Sequence, residues 1–194
     1  MKIAYLAKAR PDLQARIPKD VQGVIVEAGP GGVYSDADLK KVADVEAFVV
    51  SMEPVNEQLL AACKKLKIVQ RLGVGYETLD LAAAAKRKIP CCNIEAVNKE
   101  AVAEHGLTLM LALSKKLLEI NRLTHEGKWN EARVLTNTVH ELAEKTLGII
   151  GLGNTGGSLA RRAKALGMRI VYNDIRKVDP GVLEETGATF TEKR

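Results

Sequence analysis

Short apolar runs alternate along this chain with longer stretches whose apolar positions recur every three or four residues. Ile3-Ala4-Tyr5-Leu6 gives way to a polar stretch and then to Val24-Ile25-Val26. Ala47-Phe48-Val49-Val50 and Lys67-Ile68-Val69-Gln70 read as a third and fourth strand, and Pro90-Cys91-Cys92-Asn93 as a short fifth. Between them, Ser35 followed by Asp36 and Asp38 predicts a helix start. The hydroxyl can cap free amides there, and acids suit the positive end of the helix dipole. Residues 56–63 and 80–87 predict two more helices. Strands rich in Val, Ile and Leu that alternate with helices imply βαβ units and a parallel sheet. The pattern closes a first domain near residue 95 and leaves 96–194 for a second.

The second part opens on a long helical period over residues 99–121. Val102, Leu109, Leu113, Leu117 and Ile120 recur at helical spacing. Leu107, Met110 and Leu111 widen the stripe until the middle is apolar nearly all round, which predicts burial between two bodies. Trp129 lies in an unassigned stretch, residues 122–145, and is expected to pack. The pattern restarts at residue 146. Thr146-Leu147-Gly148-Ile149-Ile150 reads as a buried strand, and Gly151-Leu152-Gly153-Asn154-Thr155-Gly156 as a turn opening a helix. That helix should point Leu159, Ala163 and Leu166 inward and stop at Gly167, before a strand that ends in Asp174. One more helix, residues 180–186, and a strand at Thr189-Phe190 follow.

Strand, glycine turn, helix, strand and terminal acid in this order form a dinucleotide-binding fingerprint. Gly151 permits the tight turn, Gly153 lets backbone amides approach a pyrophosphate, and Gly156 lets the helix pack closely on the strand. The amides around Asn154 and Thr155 would bind phosphate with help from the helix dipole. Asp174 is placed to accept from a ribose hydroxyl, and its charge favours NAD over NADP; Arg176 and Lys177 beside it weaken that preference. A glycine turn in another α/β protein, such as a methyltransferase, is the competing reading.

Composition narrows the function classes. The chain of 194 residues is 46% hydrophobic but only 4% aromatic, as expected for a core of Leu, Ile, Val and Ala. Its net charge of +5 comes from scattered residues such as Lys64, Lys65, Arg87 and Arg161, with no aromatic interleaving, which argues against nucleic acid. Cys63, Cys91 and Cys92 have no metal-ligand spacing, so no metal is expected and a reducing, cytoplasmic compartment is the default. The longest apolar stretch, residues 107–113, is far below a membrane span, and the opening residues read as a strand rather than a signal peptide.

Longer matches now carry a resemblance. Residues 141–153, Glu-Leu-Ala-Glu-Lys-Thr-Leu-Gly-Ile-Ile-Gly-Leu-Gly, with Ala165-Leu166-Gly167-Met168, resemble the cofactor signature of the D-2-hydroxyacid dehydrogenases of the phosphoglycerate dehydrogenase type. Arg71-Leu72-Gly73-Val74-Gly75-Tyr76 resembles that family's substrate loop, Val102-Ala103-Glu104-His105 its interdomain helix, and Gly127-Lys128-Trp129 a short motif before the cofactor domain. The resemblance implies a flavodoxin-like N-terminal substrate domain, a Rossmann NAD-binding domain and a 2-hydroxy or 2-oxo acid substrate; the apolar helix over 99–121 and the segment around Trp129 predict a homodimer or larger oligomer. It implies that the Val74 and Gly75 amides hold the substrate carboxylate, with Arg71, Gly73 and Ser51 alongside. Val74, Val102, Gly151, Gly153, Asn154, Thr155, Gly156 and Asp174 would bind the cofactor. From the residues alone, Gly73 and Gly75 fit a plain turn as well as a binding loop, and Arg71 fits an anion ligand or an exposed strand-end charge.

The departures matter. Val50-Ser51 stands where phosphoglycerate dehydrogenases tend to carry Arg-Ser, which argues against a phosphorylated substrate. The family's catalytic arginine, glutamate and histidine lie downstream of the strand that ends at Asp174, outside the matched segments. About three of the six strands of a full cofactor domain are expected here. Among the chain's own histidines, His105 is expected to be buried and hydrogen-bonded, and His125 has only Glu126 as an immediate neighbour. His140 would pair with Glu144 only if that segment were helical. Two functions follow as expectations: an NAD-dependent 2-hydroxyacid dehydrogenase represented by a chain without its catalytic residues, or a non-catalytic NAD-binding or oligomerisation module.

Overall fold

A computed structural model describes residues 1–8, 15 and 17–193. Most of the polar stretch expected after the first strand, residues 9–14 and 16, lies outside the described residues. The chain divides into two compact units, Met1–Val97 and Asn98–Arg194, against the boundary at 95 read from the sequence.

In the first unit, β1 (Lys2–Leu6), β2 (Gln22–Val26), β3 (Ala47–Val50), β4 (Ile68–Arg71) and β5 (Cys91–Cys92) pair in parallel in the order β2-β1-β3-β4-β5. That order is flavodoxin-like. Neighbouring positions such as Ile3 and Ala4, or Ala47 and Phe48, are buried together, the mark of a sheet covered on both faces. Three short helices begin at side-chain caps: α1 (Asp36–Val42) at Ser35, α2 (Glu57–Ala62) at Asn56 and α3 (Leu81–Lys86) at Asp80. Each cap accepts an amide that the helix cannot satisfy itself. Their apolar faces, through Val42, Leu59, Leu60, Ala83 and Ala84, join Leu6, Phe48, Val50 and Val69 in one core.

In the second unit, β6 (Thr146–Ile150), β7 (Arg169–Asn173) and β8 (Thr189–Phe190) pair in parallel in that order. This matches the first three strands of a doubly wound sheet. Around it lie α4 (Lys99–Ser114), α5 (Leu117–His125), α6 (Trp129–Thr136), α7 (Asn154–Ala165) and α8 (Pro180–Thr186). The core gathers Ile149, Leu152, Ala160, Ala163, Met168 and Ile170.

Several expectations need correction. The helix drawn over 99–121 breaks at Lys116, whose φ of 49° is left-handed. The returning His140 N–H donates to Ser114 O at 2.9 Å, satisfying a carbonyl that a continuous helix would have used. The stripe through Val102, Leu109 and Leu113 is exposed, and α4 instead turns Ala103 inward, with Gly106, Leu107 and Met110 half-buried. An apolar circumference gives no face to choose by period. Glu100 Oε2 and Glu104 Oε1, which pair with Arg162 of α7, make the choice.

His105, on the unchosen side, is exposed, and its imidazole makes no hydrogen bond to any described residue. Leu166 is exposed at the end of α7, where Gly167, φ 79°, turns the chain away. Trp129 is 64% exposed at the start of α6, a helix the sequence reading left unassigned. The segment holding His140 and Glu144 is not helical, so their helical pairing does not form.

Candidate functional site

In the second unit, the fingerprint turn sits at the carboxyl ends of β6 and β7, where ligands bind in open α/β sheets. Gly151 has a φ of 90°, a conformation that suits glycine, and its N–H donates to Asn173 O at 2.8 Å. A Cβ on Gly156 would stand 2.1 Å from Gly151 O and 3.1 Å from Ile149 Cγ2, so only glycine lets α7 begin this close to β6. A Cβ on Gly153 would meet nothing within 4 Å. The space above Gly153 is therefore open for a ligand rather than filled by the protein.

α7 starts at Gly153 without a side-chain cap, unlike α1, α2 and α3. Its first internal bond is Gly157 N to Gly153 O at 2.7 Å. The N–H groups of Asn154, Thr155 and Gly156 therefore donate to no described residue, and an anion placed there would meet aligned amides and the positive end of the helix dipole.

Asp174 closes the arrangement from the end of β7. Its Oδ1 accepts from Arg176 N at 2.9 Å and its Oδ2 from Leu152 N at 2.8 Å. The Arg176 amide foremost, then the Leu152 amide, holds the carboxyl below the usual carboxylate range. The group is charged at neutral pH and fixed in place, and each oxygen keeps a lone pair for a hydroxyl donor. It also anchors the fingerprint turn, a role the sequence reading missed. Gly153, Asn154, Asp174, Arg176, Lys177 and Lys99 line one cleft of about 340 Å³. Thr155 and Gly156 sit on its helix side, while Val102 lies further along α4, half-exposed and outside the lining. A cleft of about 390 Å³ at the opposite end of the same sheet is larger but is not lined by fingerprint residues, so chemistry rather than size selects the site.

In the first unit, the loop after β4 is held by its carbonyls. Gly73 O accepts from Ile94 N at 3.1 Å, Val74 O from Asn93 Nδ2 at 2.8 Å, and Gly75 O from Arg71 Nε at 2.9 Å. The N–H groups of Val74 and Gly75 donate to no described residue. Adjacent free amides on a loop braced from behind have the geometry that can accept a small anion such as a carboxylate. Neither glycine has a positive φ, so the turn itself does not demand them.

Arg71 is not the exposed strand-end charge that one reading allowed. It is 7% exposed, its Nη2 lies 3.3 Å from Met52 Sδ, and its Nη1 is buried with no partner. A buried guanidinium donor without an acceptor is costly, by about 1–3 kcal/mol, which an incoming anion would relieve. Ser51 donates its N–H to Leu6 O at 2.9 Å and lines a separate cleft of about 240 Å³ with Lys8 and Glu53. Sequence reasoning missed Asn93 and Lys99, since neither belongs to a local motif.

A flavodoxin-like parallel-sheet unit, followed by a unit that carries a glycine fingerprint between β6 and α7, defines a two-unit α/β protein. The chain belongs to the D-isomer specific 2-hydroxyacid dehydrogenase family, whose catalytic-domain profile matches residues 5–182. It is 36% identical over 171 residues to a glyoxylate reductase of Thermococcus litoralis, covering 86% of this chain and 50% of that one. It is 38% identical over 144 residues to a D-3-phosphoglycerate dehydrogenase of Archaeoglobus fulgidus, covering 74% and 27%. The fold is shared with a D-lactate dehydrogenase of Aquifex aeolicus solved with NAD and lactic acid, at TM-score 0.80 and 24% identity, covering 97% of this chain and 55% of that one. The chain thus spans about half the length of the glyoxylate reductase it matches.

Proposed function

We propose that this chain is the substrate-loop and fingerprint part of an NAD-dependent dehydrogenase that interconverts a 2-hydroxy acid and a 2-oxo acid. The observation that carries the reading is the pairing, in one cleft, of the uncapped α7 amides with the fixed, charged Asp174. The second unit takes the dinucleotide through Gly151, Gly153, Asn154, Thr155, Gly156 and Asp174, with Val102 nearby on α4. The first unit takes the substrate carboxylate on the Val74 and Gly75 amides. Arg71 holds that loop, which includes Gly73, through Gly75 O and offers Nη1 as a further donor, whereas Ser51 lies in the separate cleft with Lys8 and Glu53. Val50, apolar where a phosphate-binding arginine would stand, favours a small unphosphorylated acid.

The dinucleotide reading is tested by titrating the purified chain with NAD and NADP. NAD should bind more tightly, because a 2′-phosphate would face the Asp174 carboxylate. Asp174→Asn should narrow the gap by removing the charge. Asp174→Ala should also lower the NAD affinity about tenfold, since both ribose and the Leu152 amide lose an acceptor. Equal affinity of the unmodified protein for both cofactors would remove the basis for the NAD assignment.

The same reading includes a cytoplasmic homodimer. Support for the location is the set of three free thiols, Cys63, Cys91 and Cys92. Support for the dimer is the apolar surface that the second unit leaves uncovered: Leu113, Leu117 and Leu118 at the α4–α5 break, with Trp129 and Val134 on α6. Sedimentation at micromolar concentration should give a dimer, and Leu113→Glu should dissociate it. A clean monomer for the unmodified chain would count against this assembly.

A further inference from the structure

One cation in the fingerprint cleft comes from far upstream of the unit that defines it. Lys99, the first residue of α4, lines the same cleft as Gly153, Asn154 and Asp174. Its position is set by a clamp between α4 and α7. Glu100 Oε2 accepts from Ser158 Oγ at 2.7 Å and pairs with Arg162 Nη2 at 2.7 Å, and one turn on Glu104 Oε1 lies 3.4 Å from the same Arg162 Nη2. The Glu100–Ser158 and Glu104–Arg162 contacts both join residues 58 apart, so the two helices run parallel and in step. Ser158 is buried at 3% exposure, while the Glu100 carboxylate reaches it, and the Glu100 and Glu104 carboxylates reach Arg162, from the solvent side. α4 therefore presents its start on the side where α7 presents its own uncapped start.

The charges around Lys99 leave it available. Glu100 is committed to Ser158 and Arg162, and its other oxygen stands 3.9 Å from the Lys99 ammonium, beyond hydrogen-bond reach. Arg161, also in the cleft, is paired with Glu185, whereas Arg176 and Lys177 lie beside Asp174 at the ribose end. Lys99 lines the cleft together with Gly153 and Asn154, where α7 begins. The Asn154–Gly156 amides offer an anion only the partial charge of a helix terminus, whereas a lysine adds a full mobile one.

We propose that Lys99 is the pyrophosphate-anchoring cation of this cleft, holding the diphosphate against the start of α7. The proposal rests on the dinucleotide reading above, and its test separates the two. The chain and its Lys99→Gln and Lys99→Arg variants are titrated by calorimetry with ADP-ribose and with inorganic pyrophosphate at several salt concentrations. Lys99→Gln should weaken both about tenfold and flatten the salt dependence, and Lys99→Arg should restore most of each. Because Lys99 is partly exposed, the melting temperature of both variants should match the parent's. ADP-ribose binding unchanged in Lys99→Gln, or weakened with the same salt dependence as the parent, overturns the proposal and leaves the dinucleotide reading standing. Pyrophosphate binding that requires Lys99, with no binding of ADP-ribose, keeps the role of Lys99 and overturns the dinucleotide reading. Failure of the parent to bind either probe overturns both.

Discussion

Gly156→Ala is expected to abolish dinucleotide binding and to lower the melting temperature of the second unit by roughly 10 °C or more. The added methyl would stand 2.1 Å from Gly151 O, and the obstacle is backbone that cannot swing aside. Relief requires α7 to retreat from β6. That would separate the Asn154–Gly156 amides from Asp174 and open the packing of Ala160 and Ala163 against Ile149. Overpacking of a core costs about 1–3 kcal/mol, and a clash with fixed backbone belongs at or above the upper end.

Two neighbouring glycines provide controls. A Cβ on Gly148 would meet only Val171 Cγ2, at 3.9 Å, so Gly148→Ala should leave both stability and binding near the parent. Gly153→Ala faces open space and should fold normally while binding NAD at least about tenfold more weakly, because its methyl enters the room left for the pyrophosphate. Thermal melts with NAD titrations read all three variants. Normal NAD binding by Gly156→Ala would mean that the close approach of α7 is not what builds the site.

The 194-residue polypeptide is expected to show no measurable oxidation of NADH with glyoxylate, pyruvate, hydroxypyruvate or 2-oxoglutarate. Reduction of a 2-oxo acid needs a proton donor within hydrogen-bond reach of the carbonyl oxygen, and a positioned general acid is worth about 10²–10⁴-fold in rate. Histidine is the usual group near neutral pH, and this chain's three are all at the surface. His105 stands on the exposed side of α4, His125 at the end of α5, and His140 in the loop that caps Ser114 O with its backbone N–H. None lines the fingerprint cleft. The Val74 and Gly75 amides can hold a carboxylate, but holding does not supply a proton. Joining the chain to the second half of a relative should bring activity. Steady turnover by the polypeptide alone, lost in His105→Ala or His140→Ala, would place the catalytic group here and overturn this expectation.

The sequence by itself determined the strands and most of the helices. Strands at Ile3, Val24, Ala47 and Ile68, and the cap at Ser35, rest on local physics: side-chain periodicity, a hydroxyl acceptor one turn from free amides, and glycine where φ is positive. The same locality made the fingerprint legible, since Gly151, Gly153, Gly156 and Asp174 belong to one strand–turn–helix–strand unit. Tertiary structure decided what depends on partners distant in the chain. The buried face of α4 was chosen by Arg162 and Ser158, some 58 residues away, because an all-round apolar helix contains no preference of its own. The helix broke at Lys116 because His140 returns to take the Ser114 carbonyl. Arg71 is buried because Gly75 and Met52 enclose it, and Lys99 lines the fingerprint cleft because α4 packs along α7. A polar side chain's role is set by which acceptor comes within about 3 Å of it, and only the folded chain brings such pairs together.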